Sequence, residues 1–173
     1  MIHNGTRLVA EAFDLNDIKY RITELSDISI VEAGFDVEAG PQVIARFISK
    51  DNDNDVAVRV YNLICKVPAT RRPEVLEACS TLNGKYRCFK FYLNDEAGVN
   101  VEADLPLEIG EDCLGACCVE LFVRLMQVLN DGFPLLAHAV YMGGDTEKRR
   151  GDELLSLLSE LQERTIPTFF SET

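Results

Sequence analysis

Residues 112–129 read DCLGACCVELFVRLMQVL, and the fold turns on what that stretch requires of its surroundings. Leu114, Cys117, Cys118, Leu121, Leu125, Val128 and Leu129 recur at helical spacing as one stripe, while Ala116, Val119, Phe122, Val123 and Met126 fill much of the remaining circumference. A helix apolar nearly all round is buried nearly all round. One layer of strands shields one side only, so the other side is expected to meet another helix or a second copy of the chain. Asp112 is placed to cap its start. Gly132 and Pro134 are expected to kink or break it, leaving Leu135–Met142 as a short apolar helix before Gly143-Gly144.

Upstream, Val99, Val101, Ala103 and Leu105 alternate with Asn100, Glu102 and Asp104, the period of a strand with one buried and one acidic face. A five-residue loop, 94–98, joins it to a partner strand in which Phe89, Phe91 and Leu93 share a face, so Tyr86 to Leu105 reads as a hairpin. Before it, Val75, Leu76, Cys79 and Leu82 form the stripe of a helix. Thr70 is placed as its cap, Pro73 sits in its first turn and Asn83-Gly84 is its stop. Three strand-like runs precede that helix: one from Ile28, interrupted at Gly34 and resuming at Phe35 and Val37 with a turn after it, one through Val43, Ala45 and Phe47, and one from Val56 to about Val67, apolar on both faces and hence central in a sheet. Leu8, Ala12, Leu15, Ile18, Ile22 and Leu25 step by three and four, which predicts a first helix over the whole of 8–25.

The expected architecture is therefore one α+β domain over 1–144 with an antiparallel sheet in the order helix-β-β-β-helix-β-β-helix. Residues 145–173 are expected as a polar linker, an amphipathic helix and a tail carrying Phe169 and Phe170. At 173 residues the chain can bury a core without disulfides or metals. Its net charge of −12 opposes binding to phosphate backbones and to anionic lipid, so neither nucleic acid nor membrane is an expected partner. No basic residue lies between Lys90 and Arg124, which suits a partner segment that is basic or apolar. No secretory leader and no bilayer-length apolar run is read, and the six cysteines contain no CxxC pair. The expectation is a cytoplasmic protein with reduced thiols.

Catalytic and metal patterns fail on specific residues. Asp51, Asp53 and Asp55 begin like a calcium loop, but Val56 stands where glycine must turn the chain and Asn62 where the bidentate glutamate belongs. Cys113, Cys117 and Cys118 have no nearby histidine, since only His3 and His138 exist, and paired zinc-ligand couples are missing. No serine sits in a glycine-flanked elbow, and Gly84-Lys85 lacks the spacing of a phosphate loop. No cofactor and no enzymatic activity is expected. The alternative is a small enzyme or ligand-binding domain assembled from scattered carboxylates and His138.

The hairpin KYRCFKFYLNDEAGVNVEADLPL, the ending MQVLNDGFPLLAHAVYMGG and the phrase EVLEACSTLN resemble the YbjN-like domains, a bacterial family named as sensory transduction regulators. The likeness spans Leu8 to Gly144 in element order. It implies a fold similar to the small acidic chaperones of type III secretion, a binding or regulatory role, and homodimers; it carries over no catalytic residue. The partner-binding surface expected from the sequence comprises Leu114, Val119, Phe122, Val123 and Met126 on the long helix with Glu102 and Asp104 on the hairpin.

Overall fold

The protein, seen in a computed structural model that describes residues 2–50, 56–105 and 109–142, is a six-stranded antiparallel sheet with three helices packed on one face. The elements are α1 (Asn4–Leu15), β1 (Arg21–Glu24), β2 (Ile28–Asp36), β3 (Gln42–Lys50), β4 (Val56–Ile64), a 3-10 turn (Ala69–Arg71), α2 (Arg72–Lys85), β5 (Lys90–Leu93), β6 (Val99–Asp104) and α3 (Glu111–Tyr141). Strand order across the sheet is β1-β2-β3-β4-β6-β5, with every neighbouring pair antiparallel. The α+β class holds, and β4 has the expected interior position, although it ends at Ile64 rather than near Val67.

Alternation sorts the sheet into two faces. Val31, Ala33, Val43, Ala45, Phe47, Val58, Val101 and Ala103 are buried under the helices, each full burial of such a side chain contributing about 1.5–3 kcal/mol for the larger ones. Leu114, Cys118, Phe122, Leu125 and Leu129 of α3 close on that layer, and α1 and α2 both pack against α3. The covering that the sequence required of a second helix or a second copy thus comes, for the most part, from helices of the same chain. Gly115 allows this, because a Cβ there would stand 2.7 Å from Ala12 Cβ and 2.8 Å from the Leu8 carbonyl oxygen.

Three local expectations are corrected. The first helix stops at Leu15 instead of running to Leu25. Asn16 and Asp17 turn the chain, Asp17 in the left-handed region at φ 54°, and the Ile18 N–H closes back on the Phe13 carbonyl at 3.0 Å. The chain then returns as β1, a strand added to the expected order; Ile22 falls in register with Val31 rather than on a helix face. Second, α2 passes through Asn83-Gly84 to Lys85, starts after a 3-10 turn and draws no cap bond from Thr70, so β5 begins only at Lys90. Third, α3 does not break at Gly132 or Pro134. Proline removes one N–H bond, to the carbonyl four residues back, while Leu136, Ala139 and Val140 stay buried beyond it. The calcium-like run 51–55, Pro106 and the linker, helix and tail of 145–173 lie outside the described residues.

The β5 edge is closed by a side chain. Asn83 donates its amide to the Phe91 carbonyl at 3.0 Å and accepts the Phe91 N–H at 2.7 Å, standing in for a further strand. Asn83→Ala leaves both groups of a buried residue unpaired, and a loss of about 1–3 kcal/mol is expected in chemical denaturation. Gly115→Ala should cost a similar amount, about 1–3 kcal/mol, through overpacking of α1 against α3; an unchanged denaturation midpoint would refute the contact.

Candidate functional site

The sheet face turned away from the helices carries a charged row at one register level. Arg21, Glu32, Arg46, Arg59, Glu102 and Lys90 are successive cross-strand partners through β1, β2, β3, β4, β6 and β5. Glu32 is almost fully buried, with Arg21 Nε at 2.6 Å, Arg46 Nε at 2.9 Å and the Thr23 hydroxyl at 3.1 Å. Burial pushes its carboxyl upward, but hydrogen bonds from Arg21, Thr23 and Arg46 outweigh that and hold it below the ordinary glutamate value. Arg59 donates to the Val58 and Ala103 carbonyls and reaches Asp104 at 2.7 Å and Glu102 at 3.8 Å. Arg46 lies over the Tyr61 ring at 5.5 Å. The hairpin's polar face is therefore not uniformly acidic. Asn100 is buried in an amide cluster, accepting the Asn62 N–H at 2.9 Å, and Glu102 and Asp104 share a cation supplied by β4.

The helix residues singled out from the sequence fall in different places. Leu114 and Phe122 sit in the protomer's own core, because they lie on the stripe that faces the sheet. Val119 and Met126 are half-buried and Val123 is 39% exposed; spaced by four and three, they line one flank of α3. Glu102 and Asp104 are on the opposite face of the sheet, so the structure does not bring them together with the helix residues.

The other flank of α3 has the concave surface. A cavity of about 510 Å³ is lined by Cys88, Leu105, Cys113, Ala116, Cys117 and Leu121, with Asp112, Glu120 and Arg124 also on its walls. A second, of about 430 Å³, shares Cys88 and Arg124 and continues past Lys85, Tyr86, Arg87 and Asp131. Sequence reasoning placed these residues on a helix and a strand but missed the groove, since the contact between residue 88 and the helix has no local signature. Buried Cys79 and Cys118 have thiols pushed up by desolvation to about 11 and about 12, which makes them packing groups rather than nucleophiles. His138 is on the exposed face of the last turn of α3 and lines neither cavity. Among the described residues no group of three His, Cys, Asp or Glu side chains is placed to hold a metal ion, and no helix is long and apolar enough to cross a membrane.

The Glu32 cluster has a pH signature. Its folded carboxyl ionises below the unfolded value, so its stabilisation is complete above the ordinary glutamate range and is lost as pH falls through the lowered folded value. Glu32→Gln is expected to cost about 1–2 kcal/mol at neutral pH and to flatten the acid limb of the stability curve; denaturation midpoints between neutrality and acid check both.

Comparison with known proteins bears on the whole arrangement. A solved structure described as "Crystal structure of YbjN, a putative transcription regulator from E. coli" is similar over 79% of this chain and 92% of that chain, at 11% identity and a TM-score of 0.48. No curated protein matches. The family model for YbjN, described as "Putative bacterial sensory transduction regulator", matches residues 7–126, from α1 into the middle of α3. With well over half of its length inside that match, the chain belongs to the YbjN family.

Proposed function

We propose that the protein is a non-enzymatic, cytoplasmic regulatory module that works as a homodimer and holds an apolar segment of a protein partner against the outer flanks of α3. The observation that carries this reading is the groove of about 510 Å³ in which Leu105, Ala116 and Leu121 offer apolar surface between charged rims. Apolar clefts with a few polar groups at their margins are the usual form of a binding site. The half-exposed strip of Val119, Val123 and Met126 extends the same helix's apolar surface on its other side. Asp112 and Glu120 at the rim, with the chain's net charge of −12, favour a partner whose apolar segment is flanked by basic residues. Such charges act mainly on association rate and partner choice. Free cysteines at all six positions are in keeping with a reducing compartment.

A photo-crosslinker at Ala116 is expected to trap a specific protein, and one at Lys50, an exposed residue of β3, to trap none. Ala116→Glu should then weaken binding of the purified partner about tenfold or more while leaving the melting temperature unchanged. Equal affinity of wild type and variant would remove the groove from the reading.

A further inference from the structure

Basic residues are scarce in the second half of the chain, and the fold gathers them. Residues 73–144 contain four, Lys85, Arg87, Lys90 and Arg124, and three of these line the cavity of about 430 Å³ that adjoins the apolar groove. Lys85 ends α2, Arg87 follows it before β5 begins, and Arg124 comes from the middle of α3, so the convergence is tertiary rather than local. Lys85 Nζ lies 4.9 Å from the centre of the Tyr86 ring, which is itself part of the wall and holds the ammonium there. Glu120 takes the Arg124 Nε at 2.7 Å, which leaves the two terminal nitrogens of that guanidinium for a ligand. Arg87 pairs with no carboxylate among the described residues. Among those residues a single carboxylate, Asp131, shares the wall with the three cations. A chain of net charge −12 thus has a cavity in which basic groups outnumber acidic ones.

We propose that this cavity and the groove together bind a small amphipathic carboxylate, its head group among Lys85, Arg87 and Arg124 and its alkyl tail along Leu105, Ala116 and Leu121. Cys88 and Arg124 belong to both walls, so the two spaces are continuous. Guanidinium donors match a planar carboxylate, and Asp131 beside them disfavours a doubly charged head such as a phosphate. From Arg124 back to Ala116 the helix extends about 12 Å, room for a medium-length alkyl chain. Asp112 and Glu120 on the groove wall repel a head group at that end, which fixes the direction of entry. The site goes beyond the protein-binding reading and does not rest on it.

The test is titration calorimetry of the full chain with decanoate, with decyltrimethylammonium as the cation of equal chain length and acetate as the head group alone. Decanoate is expected to saturate below about 1 mM, and neither control to do so. The chain's overall charge favours the cation, so a preference for the anion reads the local cluster. Arg87→Glu and Lys85→Glu, both at exposed positions, should weaken decanoate binding about tenfold or more with unchanged circular dichroism, and Ala116→Glu should do the same by obstructing the tail. Failure of decanoate to saturate, equal binding of the cation, or full affinity in Arg87→Glu overturns the carboxylate site. If a protein is trapped at Ala116 while decanoate does not bind, the groove reading stands and this site alone falls.

Discussion

The Phe122 ring is the point at which the layers of this protein are tied together. It lies 5.5 Å from Phe13 of α1, 5.6 Å from Phe35 of β2 and 6.3 Å from Phe47 of β3, and Phe13 and Phe47 meet edge to face at 5.1 Å. Each such pair adds about 0.5–1.5 kcal/mol beyond the area it buries. The geometry also fixes how α3 is rotated. With Phe122, Leu125 and Leu129 committed to the sheet, the Val119–Val123–Met126 flank and the Cys113–Cys117–Leu121 flank are left at opposite sides of the helix, both partly exposed. Everything the helix can offer a partner follows from that rotation.

Charge is distributed by register rather than by composition. An acidic chain nevertheless presents Arg21, Arg46, Arg59 and Lys90 in a row across its open sheet face, interrupted by Glu32 and Glu102. Arg46 and Arg59 stand directly opposite one another, an arrangement that costs stability. Glu32 on one side, Asp104 and Glu102 on the other, and the Tyr61 ring beneath Arg46 offset it. Arg21, Arg46 and Arg59 of the row are thus satisfied by carboxylates within it, and the groove on the helix side offers apolar area that no such pairing covers.

Legibility in the sequence followed the range of the interactions. The inner face of β6 was readable because Val99, Val101, Ala103 and Leu105 alternate over a long stretch, and all four are buried. The long helix was readable because its apolar residues exceed what one contact face can use. The strand β1 was not, because Ile18 and Ile22 continue the three-and-four spacing of α1 by coincidence and the interruption, Asn16 with a left-handed Asp17, lacks the glycine that normally marks such a turn. Pro134 misled for a related reason: packing of Leu136 and Val140 outweighs one missing hydrogen bond. The apparent acidity of the hairpin and the position of the groove both depend on partners far away in sequence, Arg59 for Glu102 and the 113–121 turns for Cys88, and no local pattern reports them.

The amide of Asn83 has a consequence for assembly. An unpaired sheet edge is a template on which a strand of another chain can add. Because Phe91 already has both of its outward backbone bonds filled from within, no incoming strand can pair through that residue, and one side chain on a neighbouring helix blunts the β5 edge.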